Sequence, residues 1–512
     1  MELFVAKFSS LIVSTLSCFD RVIFKGYLPF FGDRAVHDFV DRVLNIRRKD
    51  FMGVAERHSQ CLVDHSKEFA AKAGILWEYL QGSQRKDELA DHIARERRIE
   101  SGPICVLCRM ETCPTVKLIG GKDRPVLKPA RRPQRVLYYY FADPEFGLMH
   151  VRIQTWFPFT VQVYVNGHEW LARQLLARKS GFVLTGNVFT QLDDPALAQK
   201  LSDEFVRLDW PRVLDGLARR VNPLMKEPWL RDAAYYWVSD QAEYSTDIVF
   251  KDRDALAPLY TRLLEHAALN FSARDILTFL GRKLHPRFDG EVLTDCKKDR
   301  EPGARIKHRM KNNWLKMYDK LGSVLRVETV INNPKEFRVR RERTREGRPE
   351  MVWCPMNKGV SNLYRYREVA LAANERYLAA LSVVDNPAAA YKQMEELVEP
   401  KRVAGRSHSG FNPARSSDVA LFQAVLDGNN LLQGFRNADI RRALFAEPED
   451  AADRRRQSAA TGRLLKRLHL RGLIVKVSRS RRWHVTGAGQ GLLTAVVRLY
   501  HHGIPGAAKR PA

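Results

Sequence analysis

Residues 312–333 read NNWLKMYDKLGSVLRVETVINN, two runs of alternating character around the short Gly-containing connection LGS. Alternation with period two on both sides of such a connection predicts a β-hairpin. The same period puts Lys316, Tyr318 and Lys320 on one face of the first strand, and Arg326 and Glu328 on one face of the second. If those two faces coincide, a phenol, two ammonium groups, a guanidinium and a carboxylate converge on one side of a sheet. Burying such groups unpaired is costly, so the cluster is expected to be either solvated or functional.

These residue types suit attack on a phosphodiester. A tyrosine nucleophile needs its pKa of about 10 lowered, or a base beside it, and cations on the phosphoryl oxygens. Lys320 and Arg326 supply cations, and Glu328 supplies a metal ligand. Upstream, AEYSTDIVF (242–250) places Glu243 and Asp247 on one strand face, where they complete an oxygen-rich site for Mg²⁺ or Mn²⁺. The structural alternative is an ion-pair ladder of Arg326 and Glu328 with Tyr318 packed beside it.

The order Tyr318-Asp319-Lys320 followed by Leu325-Arg326-Val327-Glu328 resembles the replication-initiation proteins of filamentous phages and some rolling-circle plasmids. The resemblance covers 20 to 30 residues. It implies a nuclease that nicks one strand through a tyrosine and a divalent metal, with Tyr318, Lys320, Arg326 and Glu328 as catalytic residues. The histidine-hydrophobic-histidine metal motif of the best-known rolling-circle nucleases is absent: the nearest run is His150-Val151-Arg152, with Arg152 where a second ligand would stand.

The charge of the chain points the same way. The 512 residues carry a formal net charge of +26, and two segments hold nearly all of it. Residues 401–512 contain 21 Lys and Arg against 7 Asp and Glu, and residues 297–345 contain 16 against 6. A solubility device would spread its charge, so concentration into two segments predicts two polyanion-binding surfaces. In the second of these segments Lys307, Arg309, Arg338 and Arg340 are the candidate contacts.

The C-terminal segment has its own pattern. SSDVALFQAVLDG reads as a first helix, ADIRRALF as a second and RRRQSAATGRLLKRLHLR as a third, with Thr461, Leu464, Leu465 and Leu468 on one buried face. Gly472 ends the third helix, and LIVKVSRSRRWHVT alternates as two short strands around a turn near Ser480. Three helices and a basic hairpin make a winged helix, and RGLIVKVSRSRRWHVTGAGQ resembles the wing and following helix of bacterial winged-helix DNA-binding proteins. The expected contacts to DNA are Arg455, Arg456, Arg463 and Lys466 on the third helix, and Arg479, Arg481 and Arg482 on the wing, because a helix fits the major groove and a basic hairpin reaches the flanking backbone.

The remaining sequence is read more coarsely. RVLYYYFADPEFGLMHVRIQTWFPFTVQVYVNGHEW is strand-rich, a helix follows from His168 to about Arg178, and 190–285 is mainly helical apart from AEYSTDIVF. Cys105, Cys108 and Cys113 form one C-x2-C pair and a neighbour, and without a second pair this pattern does not specify zinc. No Walker loop, G-x-G-x-x-G or G-x-S-x-G occurs. No apolar run approaches the ~20 residues of a membrane span, the apolar N-terminus passes directly into FDRVIFKGYLPF, and seven cysteines predict a reducing, cytoplasmic setting.

The expected fold is α+β: an N-terminal α/β region (1–130), a strand-rich core with a helical segment (131–345), a helical brace (346–400), a linker (401–414) and a winged helix (415–500). The expected function is DNA binding by a replication-initiator-like or mobile-element-associated factor, with metal-dependent strand nicking as its enzymatic form. The alternatives are a non-catalytic DNA-binding regulator and a protein subunit of an RNA-protein particle, in which RNA is the partner. No membrane partner is expected.

Overall fold

In the computed structural model, residues 1–502 are described, except for 29–34, 83, 121–124, 232–233, 284–287, 289, 298–302, 346–347, 385–393, 428–429, 431–433 and 478–479. The chain divides into two compact units, Met1–Ser382 and Val383–Ala512. Among the described residues no helix is long and apolar enough to cross a membrane.

The first unit is organised by one eleven-stranded sheet. Its strands are β1 (Ile12–Tyr27), β2 (Leu76–Tyr79), β3 (Gly102–Ile119), β4 (Val126–Asp143), β5 (Gly147–Gln154) and β6 (Val161–Val165), then β9 (Tyr236–Phe250), β10 (Val292–Lys297), β11 (Arg305–Met310), β12 (Asn313–Lys320) and β13 (Val324–Ile331). A small hairpin, β7 (Phe182–Thr185) and β8 (Val188–Leu192), stands outside it. The order across the sheet is β10-β11-β12-β13-β9-β1-β6-β5-β4-β3-β2, antiparallel except for β2 beside β3. Strands from both sides of residue 130 therefore share one sheet, and its middle strand is β1, between β9 and β6. The mixture of helices with a large sheet is an α+β fold.

The hairpin expected at 312–333 is β12–β13, turning through Leu321 and Gly322, both at positive φ (60° and 80°). A residue in this left-handed region is tolerated best as glycine, as at 322. Register pairs Lys316 with Glu328 and Tyr318 with Arg326, so the two polar faces do coincide. The opposite face is sealed by the helix Leu363–Leu381: Asn374 Nδ2 donates to the Tyr244 carbonyl (3.1 Å) and to Thr246 Oγ1 (3.2 Å), and Thr329 Oγ1 donates to Asn374 Oδ1 (2.7 Å). That buried amide ties β9 to β13 and fixes which face of each strand looks away from the helix.

β6 ends at Val165 opposite Val22, so the first half of β1 has no strand on that side. The helix Gly167–Ala177 begins there, capped by Asn166, whose Oδ1 accepts from the His168 amide at 2.8 Å. A Cβ at Gly167 would run into the Phe19 carbonyl, so only glycine lets the helix start this close to β1.

In the second unit the helices Ser416–Val425, Asn437–Leu444 and Ala451–Leu470 are followed by the strand pair β18 (Ile474–Lys476) and β19 (Trp483–Val485), and by the helix Gly487–His502. The stripe on the third helix buries Thr461, Leu465 and Leu468, with Leu464 packed against a core that includes Phe422, Phe435 and Ile474. Gly472, at φ +71°, ends that helix. Within the expected linker lies a hairpin, β16 (Lys401–Val403) and β17 (Arg406–His408), turning through Ala404 and Gly405, both at positive φ. Two consecutive positive φ values make the tight turn that suits a short hairpin, and no apolar period announces it. Within the expected helical brace (346–400), residues 385–393 lie outside the described set.

Candidate active site

β13 is buried along its whole length, yet carries Arg326 and Glu328, with exposures of 0% and 1%. A strand covered on both faces is ordinarily apolar, so these two side chains must be paired. Arg326 Nε and Nη2 donate to the two oxygens of Asp247 on β9, each at 2.6 Å. Nη2 also donates to the Asn187 carbonyl (2.7 Å), and Nη1 lies 3.5 Å from Asp20 Oδ2. His168 is wholly buried between the two aspartates, with Nδ1 3.5 Å from Asp20 and Nε2 3.6 Å from Asp247. Asn187 Nδ2 donates to Asp20.

A second group adjoins this network. Tyr318 donates its hydroxyl hydrogen to Glu328 Oε2 at 2.7 Å, and Lys316 Nζ donates to Oε1 at 2.6 Å. Lys316 and Arg21 each lie 3.9 Å from Glu243, which accepts from Gln241 at 2.8 Å. Asp20, Glu243 and Glu328 each offer an oxygen, and these oxygens lie within 4.8 Å of one another.

Asp20 reaches this place through an irregularity. Phe19 pairs with Tyr244 and Arg21 with Glu243, so two residues of β1 oppose one of β9. This β-bulge re-aims Asp20 towards the carboxylates.

The electrostatics follow from burial and neighbours. Burial opposes the charge on Asp20 and Asp247, but the Arg326 guanidinium outweighs it and holds both carboxyls below their ordinary range. Burial and the nearby Glu328 push Glu243 up to about 7. The Tyr318 phenol is held well above its usual range by burial and by Glu328. Burial and Arg326 bring the Lys320 ammonium down to about 8. Three carboxylates this close repel one another, and a cation placed among them relieves that repulsion. Ligand distances of about 2.0–2.6 Å to a hard divalent ion span the observed separations, and all-oxygen donors suit Mg²⁺ or Mn²⁺. Glu328 retains lone pairs beyond those used by Lys316 and Tyr318.

Of the residues singled out from sequence, Tyr318, Lys320, Arg326, Glu328, Glu243 and Asp247 come together. Asp247 is not one of the clustered carboxylates; both its oxygens accept from Arg326, and Asp20 takes the third place. Asp20, His168 and Asn187 were not legible from spacing, because a bulge, a helix start and a loop deliver them. Lys307 pairs in register with Lys316 and holds its ammonium 4.0 Å from the Trp314 ring centroid, while Arg309 is exposed and donates to the Lys311 carbonyl. Cys105 and Cys108 are three apart on β3 and face opposite sides of the sheet, their buried thiols pushed up to about 12 and 11.

In the second unit Arg455, Arg456, Arg463, Lys466 and Arg481 are exposed, with Arg456 bonded to Asp453 at 2.7 Å. Arg482 differs from expectation: it is half-buried and donates to the Gly434 carbonyl (2.9 Å), tying the strand pair to the chain before the second helix. Arg479 lies outside the described residues. Two open cavities of about 500 and 410 Å³ lie elsewhere, lined in part by Val5 and Pro195 and by Phe69 and Arg220. No family model matches the chain, and no curated protein or solved structure matches it.

Proposed function

We propose that the protein binds DNA and cleaves one strand through Tyr318 with a divalent cation held by Asp20, Glu243 and Glu328. The observation that carries this reading is the 2.7 Å hydrogen bond from Tyr318 to Glu328 at the edge of the carboxylate trio. Glu328 accepts the phenolic proton as the Tyr318 oxygen attacks phosphorus. The bond from phosphorus to the leaving nucleoside oxygen breaks, a phosphotyrosyl ester forms, and Lys320 gives its proton to the leaving oxygen. Lys316 offsets charge on the phosphoryl oxygens, and a divalent cation held by Asp20, Glu243 and Glu328 would supply Lewis-acid stabilisation there. Asp247, Arg326 and His168 hold the strands and Asp20 in position.

The second unit is read as a winged helix that brings the duplex to this site. Three helices and a strand pair in that order, with Arg455, Arg463 and Lys466 exposed on the third helix, support the reading. All seven cysteines are unpaired, which agrees with a reducing, cytoplasmic setting. A second reading, a DNA-binding regulator, is favoured by the full pairing of Arg326 with Asp247 and Lys316 with Glu328, since a structural ion-pair ladder would look the same. RNA in place of DNA is the remaining alternative for the partner.

The deciding experiment incubates purified protein with labelled single-stranded, supercoiled and hairpin DNA and Mn²⁺ or Mg²⁺. The expected product is a covalent protein-DNA adduct, absent with chelator and absent in Tyr318→Phe. Adduct persisting in that variant moves the nucleophile elsewhere, and no cleavage on any of the three substrates leaves the regulator.

A further inference from the structure

Beyond β13 the chain forms β14 (Arg338–Arg345) and β15 (Arg348–Pro355), a two-stranded ribbon that stays outside the main sheet. Its two faces differ. On one, Val339 and Cys354 are paired and buried, with exposures of 8% and 4%, and the ladder continues into the body through the Met356 amide donating to the Phe337 carbonyl. On the other, Arg338, Arg340, Glu342 and Thr344 lie opposite Pro355, Trp353, Met351 and Pro349, all exposed. Trp353 is 61% exposed and Met351 51%. Arg338 donates to the Trp353 carbonyl (3.1 Å), and Arg365 donates to the Arg340 carbonyl (2.7 Å), pinning the base of the ribbon. Neither Arg338 nor Arg340 has a carboxylate partner among the described residues.

A two-stranded ribbon is marginal in water without a covering layer, and a large exposed aromatic flanked by guanidinium groups that have no carboxylate partner among the described residues needs a reason. Residues 338–355 hold six arginines against three glutamates, which favours a polyanion over an acidic-poor protein surface. Eight residues per strand span roughly 26 Å at about 3.3 Å each. The major groove of B-DNA, about 12 Å wide, admits a two-stranded ribbon of this kind.

We infer that β14–β15 is a second DNA-contacting element that lays its exposed face into the major groove of duplex DNA, with Arg338 and Arg340 on the phosphates and Trp353 and Met351 against thymine methyl groups. This inference rests on the DNA-binding reading above and adds the ribbon and its duplex partner to it. Arginines displace counterions when they meet phosphates, and the apolar side chains do not. The two groups therefore leave different signatures in salt.

The test uses the full chain and a mixed-sequence duplex, with affinity measured by fluorescence anisotropy between about 50 and 200 mM salt. The Arg338→Ala/Arg340→Ala variant is expected to lose about two units from the slope of log affinity against log salt, since each phosphate contact contributes about 0.9. Trp353→Ala is expected to weaken duplex binding on the order of tenfold with an unchanged slope, as loss of about 1.4 kcal/mol of apolar contact would. Both variants should stay folded, with melting temperatures close to that of the wild type, because the altered side chains are exposed and the hydrogen bond lost from Arg338 to the Trp353 carbonyl is an exposed one. A wild-type protein that binds duplex with a slope the double variant does not change overturns the ribbon inference and leaves DNA binding standing. An equal loss on single-stranded DNA, or a change in self-association with duplex binding intact, overturns it too. Wild-type protein that fails to bind any duplex at the lowest salt removes the underlying reading as well.

Discussion

Arg326 and Asp247 face each other from neighbouring strands, joined by two hydrogen bonds of 2.6 Å, with both side chains shut away from solvent. A buried pair of this kind adds little over apolar residues of the same volume, yet breaking it is costly, because one partner is left charged and unpaired. Arg326→Met should therefore lower the stability of the first unit by about 3–5 kcal/mol. Urea unfolding followed by tryptophan fluorescence reads this directly. A loss below about 1 kcal/mol would mean that Asp247 is not carrying its charge in the fold.

The carboxylate trio should bind a divalent ion whether or not the protein cleaves DNA. A ligand present at 100 times its dissociation constant stabilises the folded state by about 2.7 kcal/mol. Mn²⁺ is thus expected to raise the unfolding midpoint of the wild-type protein. Asp20→Asn keeps the hydrogen-bonding shape on the bulge and removes one charged ligand, so the Mn²⁺-dependent shift should shrink or vanish. An undiminished shift would place the ion elsewhere.

Tyr318→Phe removes one hydrogen bond to Glu328 and leaves the ring in place. Its cost should be on the order of 1 kcal/mol, because Lys316 still serves the carboxylate. Glu328→Gln alters both partners at once and should cost more. Equilibrium unfolding of the two variants, run beside the adduct assay, separates loss of the attacking oxygen from loss of the fold.

His308 on β11 is fully buried, hydrogen-bonded to Tyr377 (3.0 Å) and Thr294 (2.9 Å), and burial lowers its pKa to about 4. The unfolded chain takes up this proton at about 6.5 and the folded chain does not, so the fold is favoured above pH 6.5 and loses stability as pH falls towards 4. The share from this residue is about 3 kcal/mol at full extent. His308→Gln should flatten the stability-pH curve between pH 6.5 and 4, and an unchanged curve would assign the acid sensitivity to other groups.

The second unit has a core of its own, so a fragment from residue 383 onward should fold alone and bind duplex DNA with steep salt dependence. Leu468→Ala should cost about 2–5 kcal/mol by leaving a cavity under the third helix. Arg463→Ala should weaken DNA binding and leave stability within about 0.5 kcal/mol. Circular dichroism and anisotropy on the same samples keep the two effects apart, and a folded fragment with no duplex affinity at low salt would assign this unit another partner.

Features that depend on neighbours along the chain are legible before any fold is known. Period two on 312–333 predicted the β12–β13 hairpin and the shared face of Tyr318, Arg326 and Glu328, and the 3.6-residue stripe predicted the buried side of Ala451–Leu470. The concentration of positive charge in two segments was equally legible, since it needs no fold to be counted. Tertiary structure alone decided which distant groups meet. Asp20 enters the carboxylate trio because a bulge breaks the alternation that a spacing argument relies on, and His168 arrives because β6 ends early and lets a helix begin against Phe19. Arg482, one of the expected wing contacts, is spent on a backbone carbonyl, and the basic run 338–345 acquires an exposed tryptophan from a strand it pairs with later. Periodicity records which face a side chain takes on its own element. Register, bulges and strand ends set what stands opposite, and they are settled by packing between segments far apart in the chain.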